Sequence, residues 1–507
     1  METITRKSRE VPVFAEVDVL VVGGGFAGFG AAITAARNGM DTLLIEQQNC
    51  LGGLATLGLV SLPYSYIEGV GHEILEKLRE QDALRVRGRF IDPEKTKRLL
   101  EHMLIDAGVR ILYHTTAVDA IVMDNVIEGA IIHNKSGTQA ILAKRVIDCS
   151  GDGDISAYAG APFEVGDPDH DGYNQSVSLV FRVGNVDMPA YMAALKDTPQ
   201  LWQDAVDEAV ATGDLPYRID KRVNWVVHLP GRPDDRAELC ICYPHSRNCR
   251  TTDAADLTRM VIEGRDQVAW TMDFMQKYLP GFENSWLIDS APMLGVRDSR
   301  RIIGEYILTG ADLVRAATFE DAICRDYHGL DIHHPTEPGH IKHLELPAGD
   351  GDSVEQVRYK PGGYNEVPYR SLVPLKIEHL LVAGRCISCD FPGQSGTRLV
   401  LTCLNMGQAA GTAAAISIND GVTPRNLDVT KLREKLVAQG VNLYEKPRYG
   451  RGRLRTDKKL DETRFYIPAG SEILESNEED KRISWEEADA TTTGFTDTGG
   501  DVGSDLE

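Results

Sequence analysis

Residues 17–46 read VDVLVVGGGFAGFGAAITAARNGMDTLLIE. Val19 to Val22 is an apolar run that stops at glycine, the mark of a buried parallel strand. Gly23, Gly25 and Gly28 follow in G-x-G-x-x-G register, with Phe26 and Ala27 at the variable positions. Ala31 to Asn38 continues as an Ala-rich helix closed by Gly39, Thr42 to Ile45 is a second strand, and Glu46 ends it 18 residues beyond Gly28. Each part has a task at a dinucleotide: Gly23 for the tight turn, Gly25 for backbone approach to a pyrophosphate, Gly28 for close helix–strand packing. The helix N-terminus offers free N–H groups and its dipole to phosphate. Glu46 is placed to accept hydrogen bonds from a ribose diol, where a 2′-phosphate would be repelled. The complete strand–turn–helix–strand–acid order distinguishes this stretch from a structural glycine turn.

The chain around it has 507 residues, 42% hydrophobic and 7% aromatic, which suits two or three globular domains with a large core. Its net charge of −22 argues against nucleic acid and anionic membranes as partners. Between Ser471 and Glu507 there are 12 acidic and 2 basic residues, so this stretch alone carries −10 and reads as a solvated, disordered tail. No run of about eighteen apolar residues predicts a membrane-spanning helix. The start, METITRKSREVPVF, lacks the apolar core of a secretory signal. Nine cysteines without framework spacing fit reduced thiols, and the expected location is cytoplasmic.

Beyond Glu46 and Gln47, the residues Gly52, Gly53, Leu54, Ala55 and Thr56 form a small-residue segment able to pass beneath an extended cofactor. Gly71 to Gln81 and Pro93 to Ala107 read as amphipathic helices. Arg110 to His114, Ala117 to Met123 and Val126 to Asn134 read as strands, the last two joined by an Asp124–Asn125 turn. Ala143 to Asp148 is another apolar strand, followed by Ser150, Gly151 and Asp152, a second place where backbone meets a cofactor. From about Phe163 to Pro347 strand-like runs and a helix over Asp256 to Lys277 alternate irregularly, which suggests an inserted substrate domain. The first pattern returns near Val367. A strand over His379 to Ala383 leads to Gly384 and Arg385, and then to a long small-residue helix in SGTRLVLTCLNMGQAAGTAAAISI. The N-terminal amides of that helix are suited to stabilising negative charge. Asp428 to Gln439 is a further surface helix.

Taken together, these segments resemble the FAD-dependent oxidoreductases of the fumarate reductase and glutathione reductase superfamily, and within it the group related to the flavin subunit of heterodisulfide reductase. The marks of the resemblance are VVGGGFAGFGAA with Glu46, LGGLAT, IDCSGDGD, QSVSLVFRVGNVD, LGVRDSRRIIGEYILTGAD, DIHHP, VPYRSLVP, LLVAGRCIS and TRLVLTCLNMGQAAGTAAA. It implies an α/β architecture: a discontinuous, Rossmann-like (glutathione reductase-type) FAD domain with an inserted α+β substrate domain. The expected boundaries are 1–162 and 366–450 for the two parts of the FAD domain, 163–365 for the insert, and 451–507 for the tail. It also implies that Gly53 lines the ribityl side, that Val118 meets the adenine through its main chain, and that Gly151 and Asp152 close the adenosine end. Gly384 and Arg385 stand where many relatives carry Gly-Asp or Gly-Glu. Thr397, Arg398 and Thr402 complete the expected cofactor wall. A second G-x-G-x-x-G and the cysteine runs of an iron–sulfur subunit are both missing, so a built-in NAD(P)H domain is not expected.

Chemistry at a flavin needs a group for the proton that accompanies the hydride. GVRDSRRIIGEY offers Arg297, Arg300, Arg301 and Tyr306, with Arg297 and Arg301 at helical spacing to clamp a carboxylate, or else to pair with Asp298 and Glu305 on a surface helix. DIHHPTEPGHIKH offers His333, His334, His340 and His343. His333 is the proton-transfer candidate. The histidine spacing matches no established zinc pattern, and no metal is expected. Arg398, with Thr402 and Asn405 beyond it, would orient substrate or else pair with a carboxylate, and Tyr64 and Thr56 are further candidates for contact. Cys386 and Cys389 form a C-x-x-C, read as buried thiols ahead of a redox disulfide or cluster. The expected activity is hydride transfer between flavin N5 and a small carboxylated or hydroxylated metabolite. The alternatives are a flavin electron-transfer subunit with an iron–sulfur or thiol–disulfide partner, and a flavin-bound sensor. The electron acceptor and a homo-oligomeric state are left open.

Overall fold

The first strand extends further than its apolar run, from Val13 to Val22, and sits at the centre of a seven-stranded sheet. The structure, a computed structural model, describes residues 4, 10–63, 67–85, 90–216, 219–221, 223–326, 328–341, 344–345, 353–354 and 364–444. Tyr64, His343 and the acidic tail lie outside the described residues. Val13–Val22 pairs in parallel with Thr42–Ile45 on one side and Gly137–Asp148 on the other. Arg110–Leu112 extends the sheet beyond Thr42–Ile45, and Leu380–Val382 adds to the end of Gly137–Asp148, both in parallel. The first half of Gly137–Asp148 pairs antiparallel with Val126–Asn134, which pairs with Thr116–Met123. Asp124 and Asn125, at φ 49° and 63°, form the turn between them, the backbone that matches strand twist in a two-residue hairpin. This is a Rossmann-like α/β fold assembled from both ends of the chain.

Two helices cover one another at backbone contact. Phe26–Arg37 packs on Val400–Asn419 along a stripe of small residues. A Cβ on Gly407 would lie 1.9 Å from the carbonyl oxygen of Ala27, and one on Gly411 would lie 2.1 Å from that of Ala31. Glycine is required there by space alone.

A second core lies in the inserted segment. Trp225–His228, Ala237–Cys242, Phe181–Val186 and Trp286–Ser290 form a four-stranded antiparallel sheet, with Ala254–Tyr278 as the long helix beside it. The buried residues of this core run from Val177 to Leu294, joined by Leu59, Leu62 and Phe90. Ile302, Leu308, Leu313, Ile323 and Leu330 pack into the first core instead. The interval 163–365 therefore contributes to both.

Two local readings are corrected. The long helix is two helices, Phe391–Thr397 and Val400–Asn419, bent by 94° at Arg398–Leu399. Arg398 is anchored to Asp331 at this corner, and Leu399 is extended, so tertiary contacts override a helical pattern. The arginines of GVRDSRR are not on a helix either. Arg300–Ile302 is a strand paired antiparallel with Phe163–Val165, so Arg297 and Arg301 do not share a helical face. Among the described residues no single helix is long and apolar enough to cross a membrane; the bent pair that meets the length and composition test is largely buried in the core.

The helix contact gives a direct test. Gly411→Ala forces a methyl into the Ala31 carbonyl and is expected to cost about 1–3 kcal/mol, read as a fall in melting temperature.

Candidate functional site at the carboxyl edge of the sheet

The parallel strands end together, and the loops that follow them converge. Gly23 N donates to Ile45 O at 2.8 Å, Cys149 N to Val22 O at 2.8 Å and Ala383 N to Asp148 O at 3.0 Å. In open α/β sheets this edge is where ligands bind. Gly23 has φ 100°, and a Cβ on Gly28 would stand 1.8 Å from the Gly23 carbonyl, so the turn closes only with glycine at both. Gly25 is different: a Cβ there meets nothing within 4 Å. No side chain caps the N-terminus of Phe26–Arg37, so its first amides have no side-chain partner there. Phe26 and Ala27 are buried behind them.

The second glycine pair lies against the first. Gly52 N donates to Gly24 O at 2.8 Å, and Gly25 and Gly52 bridge in parallel. Leu54 lines the cavity described below, Ala55 is buried, and Gln47 is exposed. Thr56 is turned inward, its hydroxyl donating to Leu51 O at 2.7 Å. Glu46 accepts from Gly24 N at 2.6 Å and from Gln48 N at 2.7 Å, and burial pushes its pKa up despite these bonds. Its carboxylate thus braces the glycine turn from below. Val118 sits half exposed at a bulge of the Thr116–Met123 strand.

The third loop is tied to the fourth. Ser150 caps Asp148 through its amide and hydroxyl, at 3.0 and 2.7 Å. Asp152 accepts from Arg385 Nη2 at 2.8 Å, and Gly151 lies directly under that guanidinium. Burial alone would lower the pKa of Arg385, but Asp152 holds it raised. Gly384 packs on Ala27, where a Cβ would meet the alanine methyl at 2.9 Å. Thr397 and Thr402 are buried and hydrogen-bonded to Gly393 O and Asp326 Oδ1.

Beside these loops is a cavity of about 180 Å³. Leu54, Arg385, Arg398, Leu399 and Val400 line one side, and Arg297, His333, His340, Asp331, Cys242 and Asn224 also line it. Three of the catalytic candidates, Arg297, His333 and Arg398, are therefore brought together. The other two are not. Arg300 donates to Asp152 O and Asp154 Oδ1, and Tyr306 donates to Asp312 Oδ2 within a helix-capping group.

Asp331 is the hub of the polar wall. Arg398 Nη2 lies 3.0 Å from Asp331 Oδ2, His340 Nε2 is 3.3 Å from Oδ1, and His333 Nε2 is 3.6 Å from Oδ2. Burial, with Arg297 and His340 adding to it, holds His333 well below its ordinary pKa, so the ring is neutral. Burial alone would raise the Asp331 pKa, but hydrogen bonds from His333 and His340 and the Arg398 charge hold it well below the usual carboxylate range. Behind them, Arg297 donates to Ser176 O, Ser178 Oγ and His245 Nε2 at 2.7, 2.9 and 3.0 Å. His245 Nδ1 is 3.0 Å from Asp220 Oδ2. Burial alone would push the Cys242 thiol up, but His245 and the Arg297 charge bring it down to about 7. Asp331, His245 and Cys242 are not among the sequence candidates, although the Asp-x-His and Cys-x-x-His spacings that hold them are in the chain. The cysteines are all free, and Cys386 and Cys389 are fully buried.

A family model described as FAD dependent oxidoreductase matches residues 18–436. The chain belongs to that family. FAD is its cofactor and it is an enzyme of the oxidoreductase class. Among curated relatives, the thiamine thiazole synthase of Methanococcus aeolicus is 34% identical over 149 residues, 27% of this chain and 55% of the relative. A digeranylgeranylglycerophospholipid reductase of Methanosarcina acetivorans is 32% identical over 161 residues, 26% of this chain and 37% of the relative. The chain spans about half the length of the thiazole synthases it matches. Among solved structures, a geranylgeranyl bacteriochlorophyll reductase-like protein from Thermoplasma acidophilum is 14% identical with a TM-score of 0.39 over 84% of each chain. A flavin-dependent brominase is 13% identical with a TM-score of 0.40, over 83% of this chain and 84% of the other. Likenesses at this level do not bear on substrate or mechanism.

The residues of this FAD-dependent oxidoreductase fit its cofactor. The open face over Gly25 and the uncapped helix suit a pyrophosphate, and Arg385 Nη1 and Arg398 Nε are buried donors without a partner in the described structure. Gly25→Ala is expected to lower the FAD retained per chain while leaving the melting temperature of the apoprotein unchanged. The pKa of Cys242 is lowered, so its thiolate persists to lower pH than an ordinary thiol's. Alkylation of Cys242 by iodoacetamide, followed by peptide mass spectrometry, is expected to show a midpoint near pH 7, shifted toward 9 in Arg297→Leu.

Proposed function

We propose that the enzyme transfers a hydride between flavin N5 and a small polar metabolite that carries a carboxylate or a hydroxyl. The observation that carries this reading is one cavity at the carboxyl edge of the sheet, lined by arginines with unpartnered buried N–H groups and by a neutral buried imidazole. A buried guanidinium donor gains most from an anionic or strongly accepting ligand group. FAD, when bound, supplies the hydride acceptor.

The chain's own residues do the rest. Arg385 and Arg398 bind and orient the polar end of the substrate. The cluster around Asp331, with His333 its most buried member, draws off the hydroxyl proton. The uncapped N-terminus of Val400–Asn419, whose first residue lines the cavity, favours negative charge developing at that wall. Gly23, Gly25, Gly28, Glu46, Gly53, Val118, Gly151 and Asp152 hold the cofactor.

The narrower kinship with the heterodisulfide reductase flavoprotein belongs to this proposal too, and rests on the sequence motifs. Its companion reading, an electron-transfer subunit, would draw on Cys386 and Cys389. Burial pushes both thiols up, so the hydride reading is the one adopted.

Anaerobic titration of the flavin-loaded enzyme decides the matter. Hydroxy acids or polyols are expected to bleach the flavin band near ~450 nm while NADH and NADPH do not. His333→Ala is expected to slow that bleaching by about 10²–10⁴-fold with FAD content retained. Bleaching by nicotinamides alone would overturn the reading.

A further inference from the structure

A short hairpin places three metal-binding side chains together. Ile341 N donates to Ile332 O at 2.9 Å and His334 N to Gly339 O at 3.0 Å, so His333 and His340 face one another as a bridge pair. Their rings lie with centroids 4.1 Å apart. Asp331 is two residues before His333, and residues two apart in extended chain share a face. One ligand atom from each of the three falls within 4.8 Å of the others.

The spacing of these atoms is informative. The separations of 3.3 Å from His340 Nε2 to Asp331 Oδ1 and 3.6 Å from His333 Nε2 to Asp331 Oδ2 are long for charge-assisted hydrogen bonds, which close to about 2.7–2.9 Å. They lie close to the roughly 3.0–3.4 Å that separates neighbouring ligands of one ion bound at about 2.0–2.2 Å. The carboxylate is oriented from behind by Arg398 Nη2, as carboxylate ligands commonly are by an outer partner. The Arg297 guanidinium is engaged with Ser176, Ser178 and His245. Asp331, His333 and His340 all line the cavity, which leaves room there for further ligands.

We propose that Asp331, His333 and His340 form a two-histidine, one-carboxylate site for a divalent first-row transition ion, with its open positions toward the substrate cavity. The donor set of imidazole and carboxylate suits iron, manganese, cobalt or zinc. The inference departs from the sequence expectation of no metal, and it rests on the reading of this cavity as the substrate site. A hydroxyl or carboxylate of the substrate becomes the next ligand, and the ion lowers the pKa of that hydroxyl.

The test is calorimetric titration of the full-length, flavin-loaded enzyme with Zn(II) after dialysis against a chelator, with the bound ion counted by mass spectrometry. About one equivalent is expected in the wild type. His340→Ala, a substitution at the edge of the hairpin, is expected to weaken binding by about 100-fold or more with FAD content and melting temperature unchanged. A Cys386→Ala, Cys389→Ala double variant is expected to bind like the wild type. No saturable binding, or equal binding in His340→Ala and Asp331→Asn, overturns the site. One equivalent of Zn(II) in an enzyme that no hydroxylated compound reduces would instead overturn the substrate reading and leave the metal site standing.

Discussion

The contact on which the rest depends is the backbone approach of Phe26–Arg37 to Val400–Asn419. Only glycine at 407 and 411 lets the two helices meet carbonyl to Cα. A side chain there would hold them apart by the width of a methyl or more, and close packing of this kind tolerates little change in volume. Because they meet, the segment 364–444 returns to the first fifty residues. Leu380–Val382 can then join the sheet, Gly384 can rest on Ala27, and the start of the second helix is delivered to the edge where the glycine turns stand.

The same edge gathers charge. Buried ions cost several kcal/mol each when unpaired, and nearly every cation here has a partner that also ties two loops together. Arg385 joins the Gly384 loop to Asp152, Arg398 joins the helix corner to Asp331, and Arg297 reaches His245, which leans on Asp220. These pairs set the positions of the loops, and they also set proton affinities: a neutral His333, an ionised Asp331 and a Cys242 thiol lowered against its own burial. The donors left over, on Arg385 and Arg398, belong to residues that line one cavity.

The nucleotide-binding half was legible because its signals are local. A turn that needs φ near 100° at Gly23, a strand of four apolar residues, an uncapped helix and an acid at the next strand end all lie within thirty residues. The strands and amphipathic helices around them followed from period and turn residues, with ends displaced by a few positions. The corner at Arg398 was not legible. Thr397 to Leu404 has an ordinary helical composition, and what bends the chain is an ion pair to Asp331, 67 residues away. The same is true of the arginines near 300. Their spacing suits a helix, but Arg300–Ile302 finds a strand partner in Phe163–Val165. Tyr306 and Arg300 looked as chemical as Arg297 and were claimed by Asp312 and Asp154.

What the sequence by itself determined was the cofactor class and the discontinuous α/β plan, since both are written in short-range constraints on backbone shape: which residues permit a left-handed turn, which pattern buries a strand, which acid follows at the right distance. What only the tertiary structure decided was which polar side chains act together. Asp331, His333 and His340 are spaced like no familiar ligand motif, and a hairpin pairing puts them on one face. Cys242 and His245 share one short segment, and Arg297, 52 residues beyond His245, meets them only through the fold. Side-chain chemistry depends on distances of a few ångströms between residues far apart in the chain, and those distances exist only once the cores have closed.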